Sequence, residues 1–180
     1  MNIIWPDAGD IELLHAPHPT LSQYCDPVDD VPEYVIKRMC ALMREHEGIG
    51  LAAPQVGLPY RFFIMQCTKD GQPAEMKLII DPAVYRKEGK MVTMLEGCLS
   101  IPDMKLPVRR MDTIVVSHYE RLITPDGDFI GDKTHFNDRL IEFNARVYQH
   151  EEDHVRGVLF TQRFADMFDA KSLRERDNRV

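Results

Sequence analysis

Six consecutive residues, Gln149-His150-Glu151-Glu152-Asp153-His154, constrain this 180-residue chain more than any other segment. The pattern from Asp138 to about Gly157 predicts a helix, with Asn137 or Asp138 as its cap. On a helix, two histidines four residues apart lie on one face, so both imidazoles can reach a single ion. At roughly 100° per residue, Leu140, Phe143, Val147, His154 and Val158 fall on the side of His150. The two histidines therefore interrupt the stripe that should face the core. Burying two imidazoles there is unfavourable unless each finds a strong partner, so the pattern points to a metal site. Glu151 sits at the edge of the same stripe, placed to lean over a bound ligand. Glu152 points the other way and is expected in solvent. Asp153 falls near Arg146 and Gln149, where it can orient a histidine.

A third ligand must come from elsewhere: another histidine (His15, His18, His46, His118 or His135), a carboxylate or a cysteine. Cys25, Cys40 and Cys67 read as small core residues. Cys98 stands in Glu96-Gly97-Cys98-Leu99-Ser100-Ile101-Pro102, on a turn that would present its thiol, and is the favoured choice. A third feature is Gly48-Ile49-Gly50-Leu51-Ala52-Ala53-Pro54-Gln55-Val56-Gly57. Its small residues permit close approach to a backbone or ligand, but it lacks the Gly-Lys-Ser/Thr of a phosphate-binding loop.

The remaining chain sets the class. Residues 1–28 read as a Pro- and His-rich arm. A first helix follows, capped by Asp29 or Asp30 with Pro32 in its first turn, burying Val31, Val35, Met39, Leu42 and Met43 and stopping at Gly48. Short β-branched or apolar runs at 61–66, 77–80 and 113–119 predict strands, and Pro125-Asp126-Gly127 a hairpin-like turn. Residues 163–180 read as a charge-dense terminal helix and tail. Helix, strands, helix is the order of an α+β fold, in a single catalytic domain spanning 1–180. With 44% AVILMFWYC residues the chain can build a core. A net charge of −7 argues against a specific nucleic acid or an anionic membrane as partner. No apolar window reaches the length of a membrane span. Four scattered cysteines and an acidic start without a signal pattern favour a reducing cytoplasm.

Taken together, GIGLAAPQ at 48–55, EGCLS at 96–100 and QHEEDH at 149–154 resemble, in that order, the three motifs of the peptide deformylases. The likeness runs from about residue 11 to 165. The resemblance implies mixed or antiparallel strands wrapped around a central metal-bearing helix. It also implies removal of the formyl group from the N-terminal formyl-methionine of newly made polypeptides, with release of formate. Cys98, His150 and His154 would hold a divalent metal, Fe(2+) natively, with Ni(2+), Co(2+) or Zn(2+) able to substitute. Glu151 would be the general base acting on metal-bound water. The Gln55 side chain and the Leu99 backbone N–H would stabilise the oxyanion. Ile49 and Gly50 would line the groove for a formyl-Met peptide or nascent chain, and Asp153 and Arg146 would support the site from behind. The chain departs from the family pattern at Ser22, Asp81, Lys105 and Gln162. A bacterial, a phage-encoded and an organelle-derived source all fit.

Two other readings share these residues. A zincin-like metalloprotease would need a downstream ligand, for which only Glu175 stands at a usable distance. A non-catalytic protein with a structural metal would need neither Gln55 nor Glu151. Separately, Lys171, Arg174, Arg176 and Arg179 give the tail a partly basic face for transient contact with ribosomal RNA.

Overall fold

Phe62-Phe63-Ile64-Met65 is apolar at every position because both faces of its strand are covered. In the computed structural model, which describes residues 3–69 and 72–167, Phe62 and Ile64 face one core and Phe63 and Met65 the other. The first core is closed by helix α1 (Glu33–Glu45) through Val35, Ile36, Met39, Cys40 and Met43. The second is closed by helix α2 (Glu142–Val155) through Ala145, Tyr148 and Val155. The strand between them is β2 (Phe62–Lys69).

The sheet has five strands in chain order: β1 (Gly50–Ala52), β2, β3 (Gln72–Cys98), β4 (Ile101–Ile123) and β5 (Phe129–Ile141). Every neighbouring pair is antiparallel. The β3–β4 hairpin is far longer than the short runs expected at 77–80 and 113–119. Its register shifts between Ile80 and Ala83, Val84 and Arg86, Glu88 and Met91, and Glu96 and Cys98. Each such irregularity bends a strand and adds twist, which curls the hairpin so that α2 contacts all five strands. Asp81 sits at the first shift with φ of 52°, a conformation that Asp and Asn tolerate better than other side chains, and its carboxylate meets Arg61 at 2.6 Å. The hairpin closes through Leu99 and Ser100, with Cys98 opposite Ile101.

Both helix starts lie later than expected. Helix α1 begins at Glu33, with Pro32 extended at its N-cap rather than in the first turn. The proline holds Val31 out of helical geometry, so neither aspartate caps, and Asp30 Oδ1 accepts from the adjacent Val31 N–H instead (3.0 Å). Residues 138–141 belong to β5, because their ladder to residues 113–116 of β4 satisfies backbone groups that a helix would have to pair within itself. Leu140 still joins the α2 core, reaching it from the strand. The turn at Thr124–Asp128 stands where Pro125-Asp126-Gly127 placed it. Of residues 163–180, those to 167 complete a helical stretch over 160–167, and the rest of the tail lies outside the described residues.

Gly157 ends α2 with φ of 72° and lies against the N-terminal arm. A β-carbon there would come within 2.8 Å of backbone atoms of Ser22 and Gln23. Gly157→Ala should therefore lower the urea midpoint, by a loss of about 1–3 kcal/mol, without changing the far-ultraviolet spectrum.

Candidate metal centre

One ligand atom each from Cys98, His150 and His154 lies within 4.8 Å of the others. Cys98 ends β3, and the two histidines stack one turn apart on α2 with ring centroids 5.1 Å apart. Cys98 Sγ is 3.3 Å from His154 Nε2. A thiolate with two imidazoles is a donor set for zinc or another late divalent metal. His154 Nδ1 and Glu151 Oε2 are buried without a hydrogen-bond partner, as are Arg61 Nε and Arg121 Nε elsewhere in the molecule. The approach of Cys98 Sγ to His154 Nε2, with an unpartnered Glu151 oxygen buried nearby on the same helix, fits a cation held on the Nε2 side of His154. The remaining histidines named as third-ligand candidates do not join the group.

His150 is held from behind by Glu96. The Glu96 carboxylate accepts from His150 Nδ1 at 3.0 Å, from Arg110 Nε and Nη2 at 2.7 and 2.9 Å, and from Arg146 Nη1 at 2.5 Å. Burial opposes its charge, but the His150 and Arg110 hydrogen bonds carry its pKa down to about 2. Arg146 thus supports the site through Glu96, and also donates to the backbone carbonyls of Val92 and Val108. Asp153 touches no histidine. It pairs with Arg110 and Arg163, because the curled hairpin brings Arg110 to that flank of α2. Glu152, expected in solvent, is 7% exposed and pairs with Arg156 at 2.6 Å, since the same hairpin covers this side as well. Phe143, expected in the buried stripe, is 41% exposed at the mouth of the site.

Glu96 and Arg110 have no place in the reading of the α2 pattern alone. The signal for Glu96 was its position two residues before Cys98 in EGCLS. Arg110 lies in Arg109-Arg110, a pair that looks like solvated charge until the hairpin is curled.

Helix α2 meets β1 at Gly50, where a β-carbon would collide with Glu151 Oε1. The glycine lets the carboxylate lie against the strand. Burial lifts the Glu151 pKa to about 7, with His150 and Arg110 pulling the other way. Gln55, in a 3-10 turn after β1, has its amide orientation fixed: Oε1 accepts from Ala52 N–H at 2.8 Å. Its NH2 group must then face Cys98 Sγ (3.4 Å) and Ser100 Oγ (3.2 Å). Ile49 is 42% exposed, and Ile49, Gly50, Leu99 and Lys105 all line a cleft of about 910 Å³ that reaches Cys98, His150 and Glu151. The other thiols are unsuited to chemistry: burial pushes Cys25 up to about 12 and Cys40 and Cys67 to about 11.

Removing the Glu96 charge leaves Arg146 and His150 without their carboxylate and Arg110 with Asp153 alone. In metal-stripped protein at pH 7, Glu96→Gln should cost about 3–5 kcal/mol of unfolding free energy in urea. The parent's advantage from this carboxylate is complete above its ordinary value of 4.5 and is lost as pH falls toward about 2. The two proteins should converge over that interval.

A family model described as polypeptide deformylase matches residues 11–169. The peptide deformylase of Rhodopirellula baltica is 35% identical over 159 residues, covering 87% of this chain and 74% of the relative. The crystal structure of a probable peptide deformylase from Synechococcus phage S-SSM7 superposes with a TM-score of 0.71 at 30% identity, over 86% of this chain and 99% of that one. A plant peptide deformylase gives 0.73 at 26% identity, over 97% and 89%. The fold is thus shared with solved deformylases, and the chain belongs to the peptide deformylase family of enzymes.

Proposed function

We propose that this chain is a metal-dependent hydrolase that removes the formyl group from N-terminal formyl-methionine of newly made polypeptides in the cytoplasm and releases formate. The observation that carries the reading is the convergence of Cys98, His150 and His154 beside a buried, unpartnered Glu151 oxygen at the base of a large cleft. Those three residues would hold one divalent ion, Fe(2+) natively, with Ni(2+), Co(2+) or Zn(2+) as substitutes. Bound there, such an ion supplies a Lewis acid and lowers the pKa of a coordinated water from 15.7 to about 7.

The protein's own groups do the rest. Glu151 takes the proton from the attacking water and hands it to the leaving amine. A carboxyl group lifted toward neutrality by burial suits both transfers. The Gln55 NH2 group, oriented by Ala52, donates to the formyl oxygen as it gains charge, alongside the Leu99 N–H in the β3–β4 turn. β1 is an edge strand of the sheet, so an extended peptide can add along Ile49 and Gly50. The apolar side chains of Ile49, Met94, Phe143 and Val147 line the cleft and suit a methionine side chain. Lys105 lines the same cleft, on the side of the β4 start.

The metalloprotease reading draws no support from the described residues, since Glu175 lies outside them. Among the described residues no helix is long and apolar enough to cross a membrane. The basic tail residues invoked for a transient ribosome contact lie outside the described residues too. Truncation after Met167 should leave turnover intact and reduce co-sedimentation with ribosomes; unchanged co-sedimentation would remove that partner.

Anaerobic formate release from a formyl-Met tripeptide, with protein loaded with Fe(2+) or Ni(2+), tests the reaction. Glu151→Gln should lower kcat by about 10²–10⁴-fold and leave the metal stoichiometry at one. Loss of metal in that variant would mean that Glu151 is a ligand rather than the base. Gly50→Ala should reproduce much of the kcat loss, because the new methyl group must displace the Glu151 carboxylate.

A further inference from the structure

Behind the candidate metal centre, two buried carboxylates divide three guanidinium groups. Arg110 lies between them, donating from Nε and Nη2 to Glu96 and from Nη1 to Asp153 at 2.7 Å. Arg146 completes Glu96, and Arg163 completes Asp153, with Nε at 3.0 Å from Oδ2 and Nη2 on Oδ1. Arg110, Glu96 and Asp153 have side chains that are 4–6% exposed, whereas Arg163 reaches in from the helical stretch 160–167 and is 40% exposed. The chain Arg163–Asp153–Arg110–Glu96–His150 therefore runs without a break from the last described segment of the protein to a proposed metal ligand. The same segment also meets that ligand directly, through Phe160, whose ring centroid is 6.2 Å from that of His150.

We propose that Arg163 is a positioning residue for His150: by satisfying Asp153 from outside, it keeps Arg110 bidentate on Glu96, and Glu96 in turn fixes the His150 ring. Without the Arg163 fork, Arg110 is left as the guanidinium on the buried Asp153 carboxylate. It is then drawn toward Asp153, and Glu96 loses a bidentate partner. Glu96 then no longer holds His150 Nδ1 in one orientation, and Nε2 loses its fixed aim. Groups that orient a ligating histidine from behind are worth about 10–100-fold in metal affinity. A lysine at 163 keeps the charge but presents no fork, so it restores only part of the effect.

The inference rests on the reading that Cys98, His150 and His154 hold a divalent ion, and its test separates the two. Parent, Arg163→Met and Arg163→Lys proteins are loaded with Co(2+), and the visible absorption and the rate of cobalt loss to a chelator are recorded at 25 °C, well below each melting midpoint. Arg163→Met is expected to lose cobalt about tenfold faster, to show altered d–d bands, and to have lower kcat with unchanged KM for a formyl-Met peptide. Arg163→Lys should fall between it and the parent. If Arg163→Met fails to fold, the lysine variant alone carries the comparison. Unchanged bands and unchanged cobalt loss in a folded variant would overturn the proposal and reduce Arg163 to an anchor for the terminal helix. A parent protein that binds no cobalt would instead overturn the metal-site reading on which it rests.

Discussion

The Glu96 carboxylate, accepting from Arg110, Arg146 and His150, is the contact on which the site depends. Helix α2 carries Arg146, Gln149, Glu151, Glu152, Asp153 and His154, all buried. Such a helix in a protein interior is unfavourable unless nearly every charge is paired. Glu96 and Asp153 supply most of that pairing through Arg110, which belongs to neither the helix nor the Cys98 turn. One ion network therefore joins the end of β3, the middle of β4, α2 and the stretch 160–167.

That network explains why the hairpin has to be long and irregular. A flat β3–β4 ribbon would present Arg110 to solvent. The shifts along it, with Asp81 and Gly89 at positive φ, curl it until Val92 and Val108 lie over Arg146 and Arg110 sits between the two carboxylates. Within this shell, Glu151 Oε2 and His154 Nδ1 remain without partners. The unpartnered Glu151 oxygen is the exception that the proposed role as base accounts for.

The two apolar cores serve the same geometry differently. The α1 core holds β1 and the 3-10 turn carrying Gln55 in place, and the α2 core seats Tyr148, Ala145 and Val155 against β2, β3 and β4. Because β2 alternates its side chains between the two, a displacement of either helix is felt at β1, where Gly50 meets Glu151. The amide of Gln55 is tied to the same strand through Ala52, so the proposed base and oxyanion donor share one support.

The order of motifs, the helical spacing of His150 and His154, the small residues at 48–57 and the apolar run at 62–65 are local properties. They were legible because periodicity and side-chain chemistry survive without knowledge of distant partners. The start of α2 was not legible: residues 138–141 have as good a helical pattern as a strand pattern, and a ladder to β4 decided between them. The burial of Glu152, the pairing of Asp153 with arginines and the roles of Glu96 and Arg110 likewise required the curled hairpin. The Glu96 and Asp153 pairs span 10 to 54 positions of chain, separations at which only packing determines who meets whom. The sequence by itself determined the family and offered the two helical histidines as donors, with Cys98 favoured among several residues for the third. The tertiary structure decided which charges hold those donors still, because a buried ion pair is specified by the partner that arrives and not by the residue that waits.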